Sequence, residues 1–126
     1  MEIERGGVYW HDFGVPSDSR QAGLRPALVV QSDALNRIRG YALTVVVPLT
    51  SRERAAATYV KIEPSERNGL RNVSWAICNQ VYTIPKAELI DKAGRVSQEV
   101  LGAVDLALMI TLGVQGGRRQ TRDDSA

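Results

Sequence analysis

The sequence predicts a mainly β domain of the α+β kind, a small partly open β-barrel with a C-terminal packing helix. Three observations predict it. Apolar runs of strand length, rich in Val and Leu, recur along the chain; Gly, Pro, Ser and Asn clusters separate them; and a segment of helical periodicity comes last. At 126 residues and 44% hydrophobic the chain can fill one packed core but not two. The expected division is a domain over 1–115 and a disordered tail over 116–126, because Gly116 to Ala126 holds no apolar anchor.

Val8 to Phe13 reads as the first strand and Gly14 to Gly23, with Pro16, Ser17, Asp18 and Ser19, as a long loop. A loop of that length in so small a domain points to function. Arg25 to Gln31 and Ala42 to Leu49 are apolar over consecutive positions, the mark of central strands buried on two sides. Between them Ser32 to Arg37 suits a helical turn that Gly40 closes. Thr58 to Ile62 and Val73 to Gln80 are further strands. A turn over Lys86 to Leu89 then leads to a short strand within Ile90 to Arg95.

Ser97 is placed as an N-cap, Glu99 complements the first turn, and Val96 with Leu101 can form a hydrophobic staple, so a helix is predicted over Gln98 to Leu112. Val100, Val104, Leu108 and Leu112 recur at i+4, with Leu101 and Ile110 broadening the stripe that should face the barrel, and Gly113 ends the helix.

The net charge is only +2, but it is unevenly spread. Residues 1–19 set one arginine against four carboxylates, net −3, whereas residues 20–72 set nine cations against four carboxylates, net +5. Eight of those nine cations are arginines, whose planar forks suit phosphate oxygens and base edges. A solvated basic face without a ligand is the competing reading.

Cys78 is the only cysteine, which excludes an intrachain disulfide and a cysteine-rich metal site and fits a reducing cytoplasm. It reads as a small buried hydrophobe within its strand. No metal-binding or phosphate-loop motif occurs, so no metal and no cofactor is expected. His11 is the only histidine and reads as a strand surface residue, which excludes a ribonuclease built on two histidines of one chain. The charged N-terminus lacks an apolar run of signal-peptide length, and no stretch approaches the roughly 20 residues that span a bilayer, so a soluble cytoplasmic protein is expected.

Three segments carry a specific pattern: Gln21-Ala22-Gly23-Leu24-Arg25-Pro26-Ala27-Leu28-Val29-Val30, Val45-Val46-Val47-Pro48-Leu49-Thr50-Ser51 and Asn79-Gln80-Val81-Tyr82-Thr83-Ile84. In this order and spacing they resemble the signatures of the MazF/PemK/Kid family of toxin endoribonucleases. Arg5-Gly6-Gly7-Val8-Tyr9-Trp10, Asn36, Gly69-Leu70 and the terminal Val104 to Gly113 agree with the resemblance. It implies an SH3-like, CcdB-like barrel, a metal-independent endoribonuclease that cuts single-stranded RNA at short sequences, a homodimer, and a cognate antitoxin that holds it inactive.

The residue chemistry fits that implication. Cleavage through the ribose 2′-OH needs the phosphorane's added negative charge stabilised. Arg25 offers a fixed cationic fork for the phosphate, with a structural salt bridge as the alternative, and Thr50 offers a hydroxyl at a strand end, with a mere strand-end cap as the alternative. These two are the candidate catalytic residues. The candidate RNA contacts are Arg20 and Gln21 in the loop, Ser51, Arg52 and Arg54 in the segment Ser51 to Thr58, and Gln80. Tyr41, Tyr59, Trp75 and Tyr82 are either base-stacking or core aromatics, and Trp10 is assigned to the core.

Two departures stand out. Where some family members carry an Arg and an Asp as acid and base, this chain has Ile77 and Asn79, and a guanidinium is no substitute base. Where others carry a Glu in the loop, it has Arg20. A barrel that binds RNA or an antitoxin without cleaving therefore stays open, as does a gyrase-binding toxin of the CcdB kind, although the latter lacks the Arg-Pro and Pro-Leu-Thr-Ser pattern.

Overall fold

A consecutive run of apolar residues makes the longest strand, β3 (Leu43–Thr50), and that strand organises the sheet. A computed structural model describes residues 1–16 and 18–114. Along its length β3 pairs first with β6 (Tyr82–Pro85), then with β2 (Leu24–Val29), and at its last two residues with β5 (Ser74–Ile77). β5 pairs in turn with β4 (Tyr59–Ile62), β2 with β1 (Gly7–Asp12), and β1 with β7 (Lys92–Arg95) across a register shift at Val8/Tyr9. Every pairing is antiparallel, in the order β4-β5-β3-β2-β1-β7 with β6 beside β3. One strand feeding three partners curls the sheet into an open barrel.

Both faces of the central strands are covered, as their unbroken apolar runs require. On one face Val8, Leu28, Val47, Leu49, Ile62 and Ala76 pack with Leu101, Val104 and Ala107 of α2 (Gln98–Leu112). On the other, Tyr9, Ala27, Val29, Val46, Ile84 and Leu89 form a second cluster. The Tyr9 hydroxyl donates to Glu2 O at 2.9 Å and accepts from Glu4 N–H at 3.1 Å, so its deep burial leaves no orphaned group. The short helix α1 (Asp33–Asn36) follows β2; its buried Asn36 accepts from Gln31 and from the Thr44 hydroxyl.

The elements follow the sequence reading closely, with four corrections. The Tyr82–Pro85 strand was not expected as a separate element, because four residues with only Ile84 buried give too short an alternation to stand out. Trp10 is 37% exposed rather than core, and His11 is buried rather than at the surface. The expected helix stripe is also too wide: Leu101, Val104 and Ala107 are buried, while Ile110 and Leu112 face solvent, 57% and 66% exposed. The helix bounds, the Ser97 cap on Val100 N–H and the left-handed Gly113 stop are as expected, as is buried Cys78. The expected tail over 116–126 lies outside the described residues.

Candidate active site

The start of β2 is held by its loop. Gly14 and Gly23 adopt positive φ of 76° and 78°, which an L side chain would resist, and so turn the chain out and back. Phe13 N–H donates to Gly23 O at 2.9 Å and Gly23 N–H to Gly14 O at 2.7 Å, closing the loop at its base. Pro26 then fixes its own φ and keeps Arg25 extended. Across the sheet Arg25 pairs with His11, which is buried edge-on against Phe13 at 4.6 Å with Nδ1 3.3 Å from Glu88 O. The histidine is thus buried on the strand beside the arginine, whereas the sequence alone places it at the surface.

On the other side, the β2–β3 register pairs Ala27 with Pro48; carried two residues further, it sets Arg25 across from Thr50. Both side chains line one cavity of about 350 Å³ together with Arg20, Gln21, Ala22, Ser51 and Arg52. Six of the eight residues singled out in the sequence therefore meet in one place. The other two, Arg54 and Gln80, line a neighbouring cavity of about 250 Å³ with Asn79 and Tyr59, where the Arg54 guanidinium sits 5.5 Å from the Tyr59 ring centre. Among the described residues one hydrogen bond joins the two cavities, from Gln21 N–H to Gln80 Oε1 at 3.0 Å.

The chemical state of each group narrows what it can do. Arg25 donates from Nε to Ala22 O at 2.8 Å, which aims the guanidinium, and makes no salt bridge among the described residues. Its terminal nitrogens are left to face the cavity. Thr50, buried to 7% exposure, accepts the Arg52 N–H at Oγ1 over 3.1 Å. With an oxygen lone pair engaged, its hydroxyl proton is the part that remains to be given.

Arg20 is paired with Asp18 at 2.8 Å, and that guanidinium holds the Asp18 carboxyl below the usual carboxylate range. Gln80 is largely engaged as a clamp, accepting from Gln21 N–H and, at 3.4 Å, from the Tyr82 hydroxyl. Gln21 Oε1 is buried without a hydrogen-bond partner among the described residues, an acceptor built into a cavity otherwise rich in donors. Ile77 is fully buried and Asn79 opens on the Arg54 side, so neither reaches the Arg25 cavity. Burial pushes the Cys78 thiol up to about 12, and it is no nucleophile near neutrality.

This geometry, an aimed arginine beside a hydroxyl at the mouth of a curled antiparallel sheet, has relatives. Residues 4–112 match the model of the PemK-like, MazF-like toxins of type II toxin–antitoxin systems. The chain belongs to that family. It is 34% identical over 112 residues to endoribonuclease EndoA of Bacillus subtilis, covering 89% of this chain and 96% of the relative. It is also 34% identical over 109 residues to endoribonuclease MazF2 of Mycobacterium bovis, with 86% and 95% covered. Among solved structures, a mycobacterial endoribonuclease in complex with its cognate antitoxin superposes with a TM-score of 0.74 at 30% identity, covering 89% and 96% of the two chains. MazF from Deinococcus radiodurans has the same fold, with a TM-score of 0.73 at 24% identity over 90% and 98%. In this member of the family Arg25 and Thr50 line one cavity, while Ile77 is folded into the core.

Proposed function

We propose that this chain is an endoribonuclease toxin that cuts single-stranded RNA without a metal ion, by attack of a ribose 2′-OH on the adjoining phosphorus. The observation that carries the proposal is the Arg25 guanidinium, aimed but unpaired, beside the Thr50 hydroxyl proton in a member of this family. In the step, the O2′–P bond forms and the P–O5′ bond breaks, giving a 2′,3′-cyclic phosphate and a 5′-hydroxyl end. Arg25 receives the two non-bridging phosphate oxygens in its fork and stabilises the charge that builds on them; Thr50 donates a further hydrogen bond to one of the two. None of the groups lining the cavity is a base near neutral pH, so the nucleophile's proton leaves to water and the 5′-oxygen takes its proton from water. Catalysis on this reading rests on electrostatic stabilisation and positioning.

Arg20, Gln21, Ser51, Arg52, Arg54 and Gln80 contact the RNA around the cut, with Gln80 acting by holding Gln21 in place. The toxin domain spans 1–115, acts as a homodimer in the cytoplasm, and is neutralised by a cognate antitoxin; the solved mycobacterial relative bound to its own antitoxin supports that partner.

The test is to incubate the purified protein with a long mixed-sequence RNA and excess chelator, then sequence the new ends. The expected result is cuts at short sequences that leave 5′-hydroxyl ends, reduced by about 10²- to 10³-fold or more in Arg25→Ala with an unchanged thermal midpoint. Ends bearing 5′-phosphate, or undiminished cutting by Arg25→Ala, would contradict the mechanism or the site. No cutting by the wild type would favour a member that binds RNA or antitoxin only.

A further inference from the structure

Trp10 is an exposed indole at the end of a row that should be core. Val8 and Trp10 share one face of β1, opposite Leu28 and Pro26 of β2, and the β2–β3 register continues the two rows to Val47 and, one step on, Leu49. The Val8–Leu28–Val47 row packs with α2, whereas the Trp10–Pro26–Leu49 row lines an open cavity of about 630 Å³ that no residue of α2 reaches. Leu24 and Leu70 extend its apolar wall and Arg71 lies on its rim. Arg25, Thr50 and Ser51 line this cavity too, so the catalytic pair forms the ridge between an arginine-rich hollow on one side and this apolar hollow on the other.

We propose that the Trp10 cavity is a nucleobase subsite, in which an unpaired base next to the scissile phosphate stacks on the indole. The inference rests on RNA being the ligand of the Arg25 site. A phosphodiester held on the ridge must send its two flanking nucleosides to opposite sides. The hollow with Arg20 and Arg52 suits the anionic backbone, while a flat apolar wall with one large aromatic suits a base, which every nucleotide supplies and a phosphate cannot replace. The volume lies within the roughly 300–1,000 Å³ of small-ligand sites. Arg71 at the rim adds a cation for the base's π-face or the next phosphate. Holding the base beside the cut therefore falls in part to β1, outside the loops.

The two tryptophans, Trp10 and Trp75, make this measurable in the full-length chain. A Trp75→Phe variant reports Trp10 fluorescence alone. The probe is a short mixed-sequence RNA with 2′-fluoro riboses, which 2′-OH attack cannot cut, compared with an oligomer of the same length and the same 2′-fluoro sugar phosphate backbone that lacks the bases. The base-bearing probe should quench Trp10, and the base-free oligomer should bind more weakly without quenching. Removing the bases should cost the wild type about ten-fold more affinity than it costs Trp10→Ala, and Trp10→Phe should recover most of the difference, because stacking needs a ring rather than an indole N–H.

Equal quenching by both oligomers, or an equal loss in wild type and Trp10→Ala, would overturn the subsite. So would a Trp10→Ala variant that binds RNA as the wild type does but changes sedimentation or antitoxin affinity, since the cavity would then seat protein. These are binding readouts on an uncuttable probe. A failure of cleavage in the wild type would count against the proposed mechanism alone, and a failure here would leave Arg25-dependent cleavage standing.

Discussion

Arg5 and Arg25 sit at opposite ends of β2, and their guanidinium groups are in opposite states. Arg5 reaches the far end from the N-terminal segment; it donates to Val30 O at 2.7 Å and is ion-paired with Asp105 of α2, tying the end of β2 to the helix. Its own N–H is received by Asp33 at 2.8 Å. Among the described residues Arg25 gives only Nε, to the nearby Ala22 carbonyl, and keeps its fork turned to a cavity. The same residue type serves the fold at one end and remains available at the other. Availability, not charge, separates a candidate catalyst from a structural cation, because a guanidinium whose two terminal nitrogens are committed to a carbonyl and a carboxylate cannot offer its fork to a phosphate.

The comparison breaks if the two arginines have exchangeable effects. Arg5→Ala should lower stability by about 2 kcal/mol, chiefly because the buried Val30 carbonyl loses a charged donor; the half-exposed pair with Asp105 adds less. Urea unfolding should show that loss while cleavage per folded molecule stays at the wild-type rate. That is the inverse of the outcome expected for Arg25→Ala. Thr50→Val sharpens the comparison at the Arg25 end. It keeps the strand-end shape and removes the hydroxyl, so cleavage should fall about ten-fold, or about 1.4 kcal/mol, with little change in stability. A loss of folding in place of activity would make Thr50 a cap for Arg52 N–H and nothing more.

Much of this arrangement is legible in the sequence, and the reasons are specific. The β2 and β3 strands announce themselves through unbroken apolar runs, and α2 through a cap, a periodic face and a glycine stop, each a local signal. Arg25 and Thr50 were placed together by motif resemblance, and the antiparallel register supplies the physical cause. What escaped depends on non-local facts. Whether Trp10 is core or exposed turns on where α2 stops covering the sheet, which no pattern within β1 encodes. His11 is buried where the segment around Glu88 comes back against it, 77 positions on, beside its near neighbour Phe13, and Gln80 is a clamp because the loop at Gln21 returns to it across 59 positions. Ile110 and Leu112 looked like core because helical spacing gives a face but not its width.

The smallest expected effect separates the two ends of β2 by pH. Burial raises the Asp33 carboxyl, but the hydrogen bonds it accepts from Arg5 N–H and Asn36, with the charges of Arg37 and Arg5, outweigh that and bring it below its ordinary 3.8. A carboxyl depressed in the folded state stabilises the fold above its unfolded value, and that contribution is lost as pH falls through the folded value. Asp33→Asn should therefore cost about 0.5–1 kcal/mol at pH 7, because the amide still accepts the Arg5 N–H but carries no charge. Urea unfolding of the two proteins at pH 7, 5 and about 3 should show the gap constant between the first two and shrinking at the last. A gap that persists unchanged at the lowest pH would mean that the carboxylate's charge contributes nothing, and that Asp33 anchors the end of β2 through geometry alone. The proposed Arg25 site needs no such carboxylate among the residues lining its cavity, so Asp33→Asn should leave cleavage per folded molecule unaltered at pH 7.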